Sequence, residues 1–106
     1  GAGSRAEPSS GGTKLVTVVV QHVCKDYDAW RPVFDEHASS RSGHGCKSEQ
    51  VYRSVDDPNA VAVVMEWPST DAAQGFMSDP SLADAMQRGG VVGPPTITIG
   101  EHVEPG

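Results

Sequence analysis

The stretch VVVQHVCKDYDAWRPVFDEH, residues 18–37, passes from a β-branched run into a helical pattern and decides the fold. The β-branched run is typical of a strand, which we predict over residues 14–23. Asp26 or Asp28 offers a helix N-cap, and apolar side chains then recur at steps of three and four, as on one face of a helix. Pro32 is tolerated only in a first turn, so the helix is expected to start close to it.

The rest of the chain predicts three further strands and two further helices. The first helix is expected to stop at a glycine-rich segment, and a hairpin with a four-residue loop follows. Two short helices with side-chain caps come next, and a Gly-Pro-Pro segment introduces the last strand. These features are the stop at residues 42–45, the strands 46–55 and 60–67 with the loop 56–59, the helices capped by Ser69 or Thr70 and by Asp79, and the strand 96–103.

The element order β-α-β-β-α-α-β predicts a ferredoxin-like α+β domain. Its four-stranded antiparallel sheet has the strand order 4-1-3-2, with the helices on one face. Both faces of the first and third strands carry apolar side chains. Because helices cover only one face, the other needs a partner. A second copy of the same sheet would provide it, which predicts a homodimer in the form of a dimeric α+β barrel.

Composition and charge limit the possible partners. The 106 residues have room for one domain, predicted over residues 14–104 after a disordered tail or cloning remnant at residues 1–13. Eight Lys and Arg residues and a formal net charge of −6 leave no basic stripe for phosphates, so no nucleic-acid partner is expected. No apolar stretch approaches the roughly 20 residues of a membrane span, so no membrane partner is expected.

Cysteine and histidine spacing argues against a metal site. The two cysteines and four histidines do not fall at metal-ligand spacings. In the predicted topology Cys24 and Cys46 lie at opposite ends of the sheet, too far apart for a disulfide, which suits a reducing, cytoplasmic location. No glycine-rich phosphate loop opens a helix, and no nucleophile triad can be argued from the residue order. We expect neither metal nor cofactor.

Four segments carry a family resemblance. They are residues 18–37, the Glu66-Trp67 pair, the SDPSL segment at residues 78–82, and the Gly-Pro-Pro before the last strand. Together they resemble the antibiotic-biosynthesis-monooxygenase-like family of dimeric α+β barrels. The resemblance implies a ligand pocket between the helices and the sheet of each subunit. It also implies cofactor-independent oxygenation, cyclisation or isomerisation of a small apolar or aromatic metabolite.

Two polar residues are predicted to be catalytic. His22 ends the valine-lined row of the first strand, where an imidazole is able to act as general base near neutral pH. The four-residue hairpin loop pairs Val55 with Ala60, which places Tyr52 on the pocket face as a hydrogen-bond donor. A loop of three or five residues would reverse this placement.

Aromatic and imidazole side chains are predicted to bind the substrate. They would form a wall suited to a planar ligand. We expect His22, Trp30 and Phe76 towards one end of the sheet, and the other members of the set towards the opposite end. The predicted substrate-binding residues are Trp30, Phe34, His37, Trp67 and Phe76.

A structural role stays open for each of these residues, because aromatic side chains at such spacings mostly pack in cores. For the whole protein the alternative is a non-catalytic barrel that binds a small ligand or serves a stress response, since fold alone does not establish activity. A cavity of several hundred Å³ that reaches His22 would favour the enzyme. A core filled by Trp30 and Phe34 would favour the alternative.

Overall fold

The computed structural model describes residues 15–103, and the tail predicted over residues 1–13 lies outside this range. The chain forms a four-stranded antiparallel sheet with four helices, a ferredoxin-like α+β fold. In chain order the elements are β1 (Val16–Cys24), α1 (Tyr27–Glu36), α2 (Ala38–Gly43), β2 (Ser48–Arg53), β3 (Ala60–Trp67), α3 (Thr70–Met77), α4 (Pro80–Arg88) and β4 (Val91–Glu101).

The strand order is β2-β3-β1-β4, which confirms the predicted order 4-1-3-2. Central strand β1 pairs with β3 from Val16 opposite Trp67 to Val23 opposite Ala60. Side chains alternate between the two faces of a strand, so every second residue of β1, starting from Val16, is buried beneath the helices. The predicted division of β1 and β3 into two faces is confirmed.

Helix α1 differs in length from the prediction. Asp26 is its N-cap, and the Asp26 carboxylate accepts a hydrogen bond from the N–H of Asp28. Pro32 lies inside the helix, five residues beyond its first residue Tyr27, so the helix starts further from the proline than predicted. It is interrupted at His37 and resumes as α2, so the single predicted helix is two.

The two later helices begin as predicted. Ser69 caps α3 by accepting a hydrogen bond from the N–H of Ala72. Asp79 caps α4, and Pro80 follows at the first helical position, where a missing N–H has no cost. No helix between residues 15 and 103 is long and apolar enough to cross a bilayer.

The hairpin register is shifted by one residue from the prediction. Arg53 pairs with Val61, and the N–H of Ser54 donates to the carbonyl of Ala60, so five residues form the loop and not four. Tyr52 therefore lies opposite Ala62. A one-residue shift moves every side chain of β2 to the other face, so the predicted placement of Tyr52 on the helix-covered face is wrong.

Side-chain hydrogen bonds within the loop account for its extra residue. The hydroxyl of Ser54 accepts from the backbone N–H groups of Asp56 and Asp57, and the Asp57 carboxylate accepts from the N–H of Asn59. Such local bonds offer the backbone an alternative to strand pairing. They end the ladder one residue earlier than the apolar pattern predicts.

Strand β4 begins at Val91, five residues before the predicted start at residue 96. The Gly-Pro-Pro segment lies inside this edge strand and does not precede it. The register between β1 and β4 shifts between Gln21 and Val23, and Gly93 has a φ of 71°, as a bulge requires. Proline is tolerated at bulges and edges because no ladder bond is lost there.

The helices cover one face of the sheet and leave the other, here called the open face, exposed. At its centre Val19, Ala62 and Val64 are half-buried within the single chain, and Val23 and Val92 are exposed. The open face comprises Thr17, Val19, Gln21 and Val23 of β1, Ala62, Val64 and Glu66 of β3, Gln50 and Tyr52 of β2, and Val92, Thr96 and Thr98 of β4.

Candidate functional site

A cavity lies between the helices and the covered face of the sheet. Its volume is about 50 Å³, far below the ~300–1,000 Å³ of typical ligand pockets. The lining is apolar except for two imidazoles and one guanidinium. It consists of Val20, His22, Trp30, Val33, Phe34, His37, Arg41, Val63, Met65, Phe76, Met77, Leu82, Ala85 and Met86.

His22 carries a buried nitrogen that has no bonding partner. Its Nδ1 makes no hydrogen bond to any residue in the described range, and its ring meets Trp30 edge-on with centroids 5.4 Å apart. Burial lowers the pKa of His22 below its usual 6.5, so the imidazole is neutral at pH 7. A buried polar atom without a partner is rare. The nitrogen is therefore available to water or to a polar group of a ligand.

Three planar groups stack on one side of the cavity. The rings of Trp30 and Phe34 are stacked with centroids 5.0 Å apart, and the Arg41 guanidinium lies 3.8 Å from the centroid of Phe34. Gly89 leaves room for the indole, because a Cβ there would lie 2.9 Å from Cδ1 of Trp30. This column of Trp30, Phe34 and Arg41 is named the stacked wall below.

His37 lies between Phe34 and Arg41 along the chain and is held in place by Ser81. Its Nε2 is 3.0 Å from the hydroxyl oxygen of Ser81, and its ring packs against Phe76 with centroids 5.6 Å apart. Burial, and then the nearby Arg41 charge, lower the pKa of His37 below its usual value. Its imidazole is therefore also neutral at pH 7, and the Ser81 bond restricts its ring orientation.

Trp67 lies beneath the cavity and does not line it. Its side chain is fully buried, and its indole stacks on Phe76 at 5.0 Å between centroids. Phe76 thus lies with His37 and Trp67, and its predicted grouping with His22 is wrong. The indole Nε1 of Trp67 has no hydrogen-bond partner within residues 15–103. We interpret Trp67 as a core residue.

The cavity brings together five of the seven predicted site residues. Tyr52 and Trp67 are the two that do not line it. Tyr52 is 53% exposed on the open face, where its hydroxyl donates to Oε1 of Gln50 over 2.7 Å. There it lines a trough of about 550 Å³ at the bulged end of the sheet. The five lining residues are His22, Trp30, Phe34, His37 and Phe76.

Arg41 is the polar lining residue that sequence reasoning missed. Its Nε and Nη2 donate to the two carboxylate oxygens of Glu49 at 2.7 and 2.8 Å, and its Nη1 donates to the carbonyl of Phe34 at 2.9 Å. Residues seven apart share a helix face, so the spacing from Phe34 to Arg41 was an available signal. The polar serines around Arg41 made this segment read as an exposed helix end.

Metal or thiol chemistry has little support in this site. Within residues 15–103 no three His, Cys, Asp or Glu side chains are grouped to hold a metal ion. Cys24 and Cys46 are free thiols, and burial raises the pKa of both. A raised pKa leaves little thiolate, which is the reactive form.

A histidine–aspartate pair outside the cavity lowers the pKa of the aspartate. His44 Nε2 lies 2.8 Å from Oδ2 of Asp79, and this hydrogen bond is the main reason that the Asp79 pKa falls to about 2. The pair therefore contributes stability above pH 3.8 that is lost as the pH falls towards 2. We expect His44→Ala to raise the pKa of Asp79 towards 3.8 in an NMR titration. An unchanged pKa would show that the cap bonds from Ser81 suffice.

Comparisons with known proteins agree with the fold described above. The sequence model of a family described as antibiotic biosynthesis monooxygenase matches residues 18–88. A search of curated proteins gives no significant match. A structure from Bordetella bronchiseptica that bears the family's name superposes with a TM-score of 0.74 at 12% identity, covering 86% of this chain and 99% of the other.

Two further structures resemble the chain. One, from Caulobacter crescentus CB15, carries the same family name, with a TM-score of 0.71 at 20% identity over 87% of this chain and 92% of the other. The second is SnoaB, a cofactor-independent oxygenase from Streptomyces nogalater, with a TM-score of 0.67 at 17% identity over 88% and 95% of the two chains. At identities of 12–20% the likeness shows the fold alone.

Proposed function

Because the chain belongs to the antibiotic biosynthesis monooxygenase family, we propose that it is a cofactor-independent monooxygenase, or a related cyclase or isomerase, that acts in the cavity beside His22. The observation that carries the proposal is the unpartnered Nδ1 of His22 among apolar cavity walls. The cofactor-independent oxygenase SnoaB shares the fold. The substrate class is a small apolar or aromatic molecule.

The chemistry requires a base and a substrate that supplies electrons. Neutral His22 removes a proton from an electron-rich CH₂ group, and the resulting carbanion passes electrons to dioxygen. The peroxide that forms then loses water. The overall change, R₂CH₂ + O₂ → R₂C=O + H₂O, places one oxygen atom in the product and reduces the other to water. No separate reductant is needed, so the proposed reaction requires no cofactor.

The cavity has to enlarge before it admits such a substrate. Met77, Leu82 and Met86 form its α3–α4 side and are only half-buried. Unbranched methionine side chains repack at little cost. The stacked wall is held by its ring and guanidinium contacts. We therefore propose that the substrate enters on the methionine side and lies against the aromatic side.

Substitution of His22 tests the proposed base. With an electron-rich naphthol or polycyclic phenol whose keto tautomer carries the required CH₂ group and that supports oxygen uptake, we expect His22→Ala to lower kcat by about 10²–10⁴-fold. Because only neutral imidazole accepts a proton and burial lowers the His22 pKa, activity should fall only below pH 6.5 as the pH is lowered. The surface variant His102→Ala is the control and should retain activity. Full turnover in His22→Ala would exclude this role.

The homodimer belongs to the same proposal. The apolar centre of the open face, which includes Val19, Ala62 and Val64, supports packing against the same face of a second copy. Packing of two open faces would bury Val19 and Val64 of each subunit and produce a barrel between two layers of helices. Each cavity would then lie within its own subunit, away from the interface.

A second candidate function has a specific observation in its favour. The cavity holds about 50 Å³, and Trp30 and Phe34 stack against each other in its lining. A filled core favours a non-catalytic barrel that binds a small ligand or serves a stress response. Oxygen uptake separates the two candidates, since a binding protein would bind phenols without consuming oxygen in either the wild type or His22→Ala.

A further inference from the structure

We propose that Arg41 makes the cavity a binding site for a planar aromatic anion, such as an aryl carboxylate, phenolate or enolate. The inference rests on the proposed function in one respect, namely that the cavity is where the ligand binds. It specifies in addition that the ligand is negatively charged and that Arg41 recognises this charge. Arg41 takes no part in the proton transfer assigned to His22.

The ion pair of Arg41 is oriented with its positive end towards the cavity. The Arg41 side chain is 3% exposed, whereas that of its partner Glu49 is 34% exposed. Arg41 lines the cavity, and Glu49 does not appear among the lining residues. Water therefore screens the carboxylate more than the guanidinium, since interactions between charges weaken strongly in high dielectric. The pair leaves a positive field inside the cavity.

The guanidinium also retains hydrogen-bonding capacity. Of its five N–H groups, three are used in the bonds to Glu49 and to the carbonyl of Phe34. These bonds and the Phe34 ring beneath it hold the group flat and fixed. A fixed guanidinium recognises planar oxyanions better than a flexible ammonium group, because its geometry is set before binding. The two remaining N–H groups are available to a ligand oxygen.

No carboxylate lines the cavity in the described part of the chain. The other titratable lining residues in the described part of the chain are His22 and His37, and both are neutral at pH 7. The Arg41 charge is one of the causes of the lowered His37 pKa, because the two residues are one helical turn apart, with the N–H of Arg41 donating to the carbonyl of His37. An anion therefore meets one cation, two neutral imidazoles and apolar surface.

The arrangement also matches the proposed reaction. Contacts run from His22 to Trp30, from Trp30 to Phe34, and from Phe34 to Arg41, so the base and the cation lie at opposite ends of one aromatic wall. A substrate that lies flat against this wall places its acidic C–H near one end and an oxygen near the other. Deprotonation then moves negative charge onto the oxygen beside the guanidinium, which stabilises the anion.

A matched pair of ligands tests the charge preference. The probes are 2-naphthoate and 2-naphthamide, which share one shape and differ by one charge. We expect isothermal titration calorimetry at pH 7.5 and low salt to give at least about tenfold tighter binding of the naphthoate, as for a partly screened cation. Equal affinity, tighter binding of the amide, or binding of neither probe would overturn the proposal.

Three variants assign the preference to Arg41. The double variant Arg41→Met with Glu49→Leu replaces the ion pair by apolar side chains of similar size, a change that proteins often tolerate, and should abolish the preference. Glu49→Gln removes the opposing charge and should strengthen it. Arg31→Met is the matched control, because Arg31 also lies over Phe34, at 5.6 Å, but is paired with Asp35 on the surface. It should change nothing.

The outcomes separate this proposal from the proposed function. A naphthoate preference that survives in the double variant overturns the role of Arg41, whatever the enzyme does. If His22→Ala keeps the naphthoate preference but oxygen uptake is absent even from the wild type, the anion site stands and the oxygenase fails. If His22→Ala abolishes turnover while both probes bind equally, the oxygenase stands and the anion site fails.

Discussion

Replacement of Trp67 by alanine is expected to reduce the free energy of unfolding by about 3–5 kcal/mol, the usual cost of deleting a buried indole. Trp67 is fully buried and stacks on Phe76, and Phe76 in turn forms part of the cavity wall. A domain of this size has a total stability of roughly 5–15 kcal/mol, so the change removes a large share of it. Urea denaturation at one fixed protein concentration measures the loss.

Trp67→Phe is the matched control for this prediction. The indole Nε1 has no hydrogen-bond partner in the described part of the chain, so phenylalanine removes a polar group whose burial is unfavourable. It keeps the stacking on Phe76 and leaves only a small void. We expect a change within about 1.5 kcal/mol of the wild type. A loss as large as that of the alanine variant would indicate that the indole N–H has a partner after all.

We expect a glutamate in place of Val64 to convert the proposed homodimer into a monomer. Val64 lies at the centre of the open face, opposite Val19 on the neighbouring strand. In a face-to-face dimer the new carboxylate would be buried without a partner, which costs several kcal/mol. We expect the dissociation constant to rise by about a hundredfold or more, since each 1.4 kcal/mol is worth a factor of ten. Analytical ultracentrifugation over a concentration series measures it.

The control places the same charge on the opposite side of the subunit. Ala83 is exposed on α4, so Ala83→Glu adds a carboxylate without touching the open face and should leave a dimer. A wild-type chain that sediments as a monomer would contradict the proposed association. A Val64→Glu chain that remains a dimer would place the interface elsewhere.

The fold was predictable because its signals are long and repeated. The valine run of β1 and the helical spacing after Asp26 each specify one element type, and short connections leave few ways to arrange the elements. Strand order and the two faces of β1 and β3 follow from these signals. Residues that alternate along the strands, such as His22, were therefore placed on the correct face.

The register of the hairpin was not predictable from these signals. Its register depends on whether the loop has four or five residues, and that depends on hydrogen bonds made by Ser54 and Asp57 within the loop. These bonds compete with strand pairing by small free energies, which composition does not reveal. The misplacement of Tyr52 follows entirely from that one-residue shift.

The part of the site that lies on regular elements was predictable, and the part that depends on contacts between elements was not. His22, Trp30 and Phe34 lie on regular elements whose periodicity points them inward. Arg41 lies on a short helix after the interruption at His37, where burial of a cation is decided by a partner on another strand, Glu49. The cavity volume depends on how side chains from several elements pack against one another, which no local pattern encodes.

The two prolines in edge strand β4 limit how well another strand can pair with this edge of the sheet. Successive N–H groups of a strand point to opposite sides, so either Pro94 or Pro95 removes a donor from the outer edge of the sheet. The other proline lacks the N–H that would face β1. No ladder bond is lost there, because the register shift leaves residues 93–95 without paired residues on β1. An incoming strand thus meets an interrupted edge. Sheet growth by edge addition is therefore discouraged.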